Sequence, residues 1–480
     1  MAAPAVKTVL SAKEVFVEAA KTKSGMVGFG MLIALVATVI VVPIYAPFDV
    51  VSAWGDSQPW LDNPRLAAPE WVDWFTPQSE ARSLILSPEN FVKTKGCNDE
   101  GTYCTFTITR SFDWNYDEFP SEVQYRILAD WGRNASPPRV AASWERPDGR
   151  IIDPLFNVFP NRRVPDLYRI SSIGSDTQDI AVRETIREWA LAQGAEDRAF
   201  ILSGSVIFAQ AGPNMLDIVS AQVLKGRYTL QLSVEAFAEA DNVDAQFIAY
   251  GRIFGLAGTD ESRRDLMVGL LWGAPVALAF GTVAALLTVF AQVLFGALGA
   301  YYGGKWDEII QRGTDFLIIL PVLPVLILIG AFYELTIIWV LFIVVALSIL
   351  GGTTKVIRSI VLQAKEDLYV EAARSYGASR GRILLRYILP RTLPYTFALI
   401  ALSVPSFIFL EAALAFLNLS DPLLPTWGKI LGDAFRENAL LFGHWWWISF
   451  PALGILFVTV GFAFLGYAFD KILNPRLREE

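Results

Sequence analysis

Glu371-Ala372-Ala373-Arg374-Ser375-Tyr376-Gly377-Ala378-Ser379-Arg380-Gly381-Arg382-Ile383-Leu384-Leu385-Arg386-Tyr387-Ile388-Leu389-Pro390 is the stretch on which the rest of the chain turns. Apolar segments long enough to cross a bilayer flank it on both sides. Lys365, Arg374, Arg380, Arg382, Arg386 and Arg391 crowd the connection, and the bias of Lys and Arg toward the cytoplasmic face of membranes places it inside the cell. Residues Lys365 to Tyr376 are good helix formers, Gly377 supplies the left-handed residue that commonly ends a helix, and Ser379 can cap a second helix from Arg380 to Leu389. Ala372 and Ala373 carry almost no side chain, so another protein's backbone can approach them. The stretch reads as two short helices around a cytoplasmic corner, shaped for docking.

This corner resembles the EAA loop of membrane subunits of ATP-binding-cassette importers, which inserts into a cleft on the ATPase subunit. Glu371, Ala372, Ala373, Gly377, Leu389 and Pro390 match that pattern at its spacing. Tyr387 stands where the general pattern has Ile, and Ile388 precedes Leu389, a variant similar to the oligopeptide/dipeptide permease branch. A second Glu-Ala-Ala, Glu411 to Ala413, has Leu417 in place of the Gly and lies in an apolar span, so the full spacing carries the resemblance and the triplet does not.

With 480 residues, 53% of them hydrophobic, the chain combines membrane and aqueous parts. The net charge of −8 is uneven: residues 47–265 hold 32 acidic and 21 basic side chains, the remainder 16 and 19. The acidic surplus therefore belongs to one aqueous region. Basic residues sit beside membrane spans and form no aromatic-interleaved patch, which argues against nucleic acid as a partner. Cys97 and Cys104 lie in the aqueous region without the His or Cys partners of a zinc site, and the one histidine, His444, is remote. In an outward-facing domain they are expected to form a disulfide; two free thiols are the alternative.

In chain order, residues 1–24 form a lysine-bearing cytoplasmic N-terminus and 25–47 a retained first span. Residues 48–262 change to globular composition, with Trp54, Trp60, Trp71 and Trp74 among prolines. There, Tyr103 to Thr109, Phe200 to Ala209, Leu216 to Leu224, Arg227 to Ala236 and Gln246 to Phe254 read as strands, and Arg183 to Gln193 as a helix. The expectation is an inserted extracytoplasmic α+β domain. Asn134-Ala135-Ser136 is a glycosylation sequon. Residues 263–480 hold five more spans: Leu266 to Tyr302, Phe316 to Tyr333, Leu335 to Leu350, Phe397 to Leu417 and Ile448 to Phe469, with the docking loop at 355–394. Six spans put both termini inside, with Lys471, Arg476 and Arg478 supporting that end. Trp445-Trp446-Trp447 suits an interfacial aromatic belt.

The resemblance extends beyond the corner. Gly258-Thr259-Asp260-Glu261-Ser262-Arg263-Arg264-Asp265 is similar to the sequence preceding the family's second span, with Arg263 where the family has Gly. Ala300-Tyr301-Tyr302-Gly303-Gly304 with Asp307, Glu411 to Leu417, and Pro425-Thr426-Trp427-Gly428 follow in the family's order, with Asn418 and Ser420 replacing expected glycines. Gly299 to Lys305 mimics a phosphate loop, but Trp306 replaces the required hydroxyl and a membrane helix precedes it. No ATPase machinery is present, and ATP and Mg²⁺ belong to partner subunits.

The resemblance implies an α-helical polytopic membrane protein of the type I importer kind, non-catalytic itself. Its implied partners are a homologous second permease subunit, two ATP-binding-cassette ATPase subunits and an extracytoplasmic solute-binding protein, all within a lipid bilayer. It implies half of a pathway for oligopeptides or dipeptides; oligosaccharides are the alternative cargo. A gradient-driven transporter or sensor would need charges at mid-span, and none is found there. Asp315, Glu334 and Glu411 lie near expected span ends. Glu411 is the candidate to border the pathway. Pro321 and Pro324 interrupt a span and either line the path or make a packing kink.

Overall fold

The computed structural model describes residues 12–131, 136–160, 166–170, 177–197, 206–217, 219–333, 336–419 and 424–473. The sequon residues Asn134 and Ala135, residues 200–205 of the strand expected over 200–209, Glu334, Ser420, Arg476 and Arg478 lie outside the described residues. The chain divides into two compact units, Ser57–Met267 and the remainder.

The inserted unit is made of β-strands: β1 (Leu84–Leu86), β2 (Val92–Cys97), β3 (Cys104–Trp114), β4 (Glu122–Asp130), β5 (Arg139–Glu145), β6 (Ile151–Val158), β7 (Asp166–Ile170), β8 (Gly226–Ala236) and β9 (Asn242–Tyr250). They form a four-stranded sheet, β1-β9-β4-β7, and a five-stranded sheet, β2-β3-β8-β5-β6, with every neighbouring pair antiparallel. Alternation along β3 and β8 turns Phe106, Ile108, Leu230 and Leu232 inward and leaves polar residues outside. Phe247 of the first sheet meets Phe112 at 5.4 Å and Trp144 at 5.7 Å, both from the second. The sheets therefore stack face to face over one aromatic core.

The insertion is therefore rich in β-sheet. Among the described residues one α-helix longer than two turns, Thr177–Ala192, accompanies the two sheets, and it begins before the expected Arg183. Among the described residues neither 206–209 nor 216–224 forms a strand, and a lone bridge joins Ala209 to Val223. The Asp217 carboxylate accepts from the Val219 N–H at 3.0 Å, and that local turn competes with a ladder.

In the other unit, α1 (Ala12–Lys21) leads into α2 (Lys23–Tyr45), whose start is capped by Thr22 accepting from the Gly25 N–H at 3.0 Å. After α3 (Phe48–Ser52) and the helix α4 of the inserted unit (Thr177–Ala192), the chain continues through α5 (Leu266–Tyr302), α6 (Gly304–Ile319), α7 (Val322–Phe332), α8 (Ile337–Ser348) and α9 (Gly352–Ala364). It ends with α10 (Leu368–Ser375), α11 (Arg380–Ile383), α12 (Leu389–Phe416), α13 (Trp427–Arg436) and α14 (Trp445–Leu473). Among the described residues four helices are long and apolar enough to cross a membrane, and up to six crossings result if the bent pairs α6–α7 and α8–α9 each count as one. The protein is a polytopic helical membrane protein with a β-rich insertion.

Two expectations change here, and the expected interruption of a span takes a definite shape. The span expected from Phe316 to Tyr333 is broken, with α6 and α7 meeting at 72°. Pro321, at the N-cap of α7, has no N–H to continue α6, whereas Pro324 lies in the first turn, where a missing N–H costs nothing. The Trp445-Trp446-Trp447 triplet starts α14, and Trp446 and Trp447 are buried in protein, so only Trp445 remains for a belt. The outer loop holds α13, fitted closely to α12: a Cβ on Gly428 would lie 2.4 Å from the Ala412 carbonyl oxygen. Trp427 fills a slot cut by glycines on two other helices, since a Cβ on Gly273 or Gly454 would sit 2.4 or 2.9 Å from its ring, and its Nε1–H donates to the Leu270 carbonyl at 2.9 Å.

Candidate docking corner and buried carboxylate

Helix α10 begins at Asp367 and ends in a Schellman arrangement. The Gly377 N–H donates to the Arg374 carbonyl at 3.0 Å and the Ala378 N–H to the Ala373 carbonyl at 3.1 Å, with Gly377 at φ +75°. The left-handed residue closes the helix and turns the chain toward α11. Ser379 occupies the N-cap of α11 in extended conformation without a side-chain capping bond.

Burial sorts the loop residues into two faces. Val370, Ala373, Ile383 and Ile388 pack into one apolar cluster with Val361 of α9 and Val293 of α5. Glu371, Ala372, Arg374 and Gly377 remain exposed. Of the two alanines expected to admit a partner backbone, Ala372 is available and Ala373 is spent on internal packing. Behind the corner, Arg358 of α9 grips both carboxylate oxygens of Asp307 on α6, at 2.8 and 2.6 Å.

The second helix of the corner does not stop at Leu389. Helix α11 lasts one turn, a π turn covers Leu384–Ile388, and α12 continues from Leu389 for 28 residues. Pro390 explains the π turn: it has no N–H for the Arg386 carbonyl four residues back, and its ring displaces that carbonyl. Leu389 donates to Leu384 five residues away. Leu389 and Pro390 are half-buried where the corner joins the long helix.

Glu411 lies in the C-terminal part of α12, as expected near a span end, and is 3% exposed. Thr426, just before α13, hydrogen-bonds its carboxyl group, while Oε1 has no partner among the described residues. Pro321 and Pro324 lie at the α6–α7 break, and no hydrogen bond or ion pair among the described residues joins Glu411 to Glu371, Ala372 or Gly377. Cys97 and Cys104 face each other at the ends of β2 and β3 and are bonded. Among the described residues no group of three or more His, Cys, Asp or Glu could hold a metal. Sequence reasoning missed Asp367 and the Arg358–Asp307 pair. Asp367 ahead of Leu-Tyr-Val is an N-cap signal, but a pairing between residues 51 positions apart leaves none.

Residues 292–479 match the family described as "Binding-protein-dependent transport system inner membrane component". The chain is 35% identical to the dipeptide transport system permease protein DppC of Bacillus subtilis over 224 residues, 46% of this chain and 68% of that protein. It is 32% identical to the oligopeptide transport system permease protein OppC of the same organism, over 46% and 72% of the two chains. It is 33% identical, over the same shares, to the glutathione transport system permease protein GsiD of Escherichia coli. The chain therefore belongs to this family of binding-protein-dependent permeases, as a membrane-spanning, non-catalytic subunit of an ATP-binding-cassette importer carrying a large inserted domain.

Proposed function

We propose that the chain forms half of the translocation pathway for dipeptides or oligopeptides handed over by an extracytoplasmic binding protein. Names of its relatives support a peptide cargo. In this reading the chain crosses the membrane six times in the type I importer manner, each bent pair being one crossing, with both termini cytoplasmic. Residues 1–24 and 355–394 face the ATPases, 25–47 is the first span, 48–262 the external domain and 263–480 the permease core. A second permease and two ATPase subunits complete the assembly, and ATP and Mg²⁺ bind to the ATPases.

The observation that carries the proposal is the Schellman-closed corner, which holds Glu371 and Ala372 exposed on a rigid base. Movement of an ATPase bound to Glu371, Ala372 and Gly377 is transmitted through the apolar cluster to α5, and through Leu389 and Pro390 into α12. Glu411 and the Pro321–Pro324 break are proposed to border the path, because a buried carboxylate and an interrupted helix are costly in a membrane without a use. The Cys97–Cys104 disulfide is proposed to fasten the β2–β3 end of the external domain.

Reconstitution with cognate ATPase subunits tests the reading. Peptide-loaded binding protein should stimulate ATP hydrolysis in the wild type, and Glu371→Arg should abolish stimulation while leaving the basal hydrolysis of the free ATPases unchanged. Undiminished stimulation in that variant would refute the docking role.

A further inference from the structure

A cavity of about 590 Å³ opens beside the docking corner, lined chiefly by Asp367, Tyr369, Arg386, Tyr387, Pro390 and Arg391. Glu371 and Ala372 do not line it. The π turn forced by Pro390 carries Arg386 and Tyr387, so the same proline that shapes the corner also shapes this wall. Arg386 is exposed and makes no ion pair or hydrogen bond among the described residues. Arg391 lies over the Tyr369 ring at 5.2 Å and pairs with Asp367. Tyr369 forms part of the wall beside Arg391. Because Asp367 is engaged by Arg391, no side chain caps the start of α10. Two guanidiniums against one carboxylate leave the lining with one net positive charge.

Depth identifies the ligand class. Residues 392–410 are uncharged, from just after Arg391 to just before Glu411. As helix they span about 28 Å, close to the roughly 30 Å of bilayer hydrocarbon. Arg391 therefore stands at the inner hydrocarbon boundary, and the cavity lies at headgroup level, where phosphates are concentrated and basic pockets take anionic lipids.

We propose that this cavity binds the phosphodiester of an anionic membrane phospholipid. Arg386 donates to the phosphate, Arg391 adds the second positive charge, and exposed Leu368 gives an acyl chain an apolar surface. The inference rests on the cytoplasmic orientation of the corner proposed above.

Native mass spectrometry of the purified full chain tests it, with phosphatidylglycerol, phosphatidylcholine or inorganic phosphate added in mild detergent. At about fivefold per arginine, phosphatidylglycerol should be retained at least fivefold more than phosphatidylcholine, and Arg386→Gln should lower that retention about fivefold. Arg391→Gln, which removes the second positive charge, should lower it as well, with wild-type melting temperature confirming that each variant is folded. Equal retention of the two lipids, unchanged retention in Arg386→Gln, or displacement by submillimolar inorganic phosphate would each overturn the proposal. ATPase-subunit binding is measured on the same samples. If Arg386→Gln abolishes that binding while lipid retention persists, the cavity is a protein-docking site and the lipid assignment falls. If ATPases fail to bind the wild type while lipid selectivity behaves as stated, the importer coupling fails and the lipid site stands.

Discussion

Arg263 and Glu122 form an ion pair buried in the inserted unit, with both residues less than a tenth exposed. Arg263 also donates to the Asn63 carbonyl at 2.8 Å and stacks on the Tyr250 ring at 4.3 Å. It does so from φ +66°, a conformation that favours glycine. This is the position where the related permeases are expected to carry Gly, so the chain keeps the turn and gives its side chain to the insertion. Arg263→Gly should relieve about 1 kcal/mol of backbone strain but remove the charge that balances Glu122, a loss of about 3–5 kcal/mol. The net expectation is destabilisation of about 2–4 kcal/mol, read from denaturant unfolding of the full chain in detergent, and a variant as stable as the wild type would contradict it.

Gly377 is tested without a steric complication, because a Cβ there would meet no atom within 4 Å. Gly377→Ala should weaken the corner by about 1–2 kcal/mol through backbone strain alone. Hydrogen exchange reads the effect: the amides of Gly377 and Ala378 should exchange roughly 5- to 30-fold faster, with little change in α12.

The glycine slot around Trp427 gives a prediction for the membrane unit. Gly273→Ala brings a methyl to within 2.4 Å of the indole and should cost about 1–3 kcal/mol by overpacking. Trp427→Ala empties the slot and should cost about 3–5 kcal/mol. The double variant should lose less than the sum of the two, a coupling that thermal unfolding in detergent resolves.

Acid should loosen the β5–β6 edge of the insertion. Burial alone would push the Asp148 carboxyl up, but the Arg146 guanidinium and the Arg150 backbone N–H outweigh it and hold the group below the usual carboxylate range. A depressed folded value means the contribution to stability is complete above about pH 4 and is lost as pH falls below it. Asp148→Asn should remove that dependence. Amide protection in β5 and β6 should then vary less between pH 5 and pH 3 than in the wild type.

Much of the candidate site was legible because its signals are local. Gly377 follows a run of helix formers, which is the local signal of a helix end, and the turn that closes α10 forms there. The long apolar run of Leu266–Tyr302 needed only its length and composition to be recognised. The partition into membrane core and aqueous insertion followed from the same kind of information.

Tertiary structure decided what depends on distant partners. Strand β3 pairs with β8 across more than a hundred residues, Cys104 facing Ala236, so no short-range pattern announces the sheet order or the sandwich. Trp446 and Trp447 share their composition signal with a lipid-facing belt, yet packing buries them. Arg386, Arg391 and Tyr369 become neighbours only because Pro390 widens one turn and α10 folds back beside it. Propensity and hydropathy act over a few residues and are written in the sequence one turn at a time. Which faces meet, and which charges are buried together, is set by packing of the whole chain.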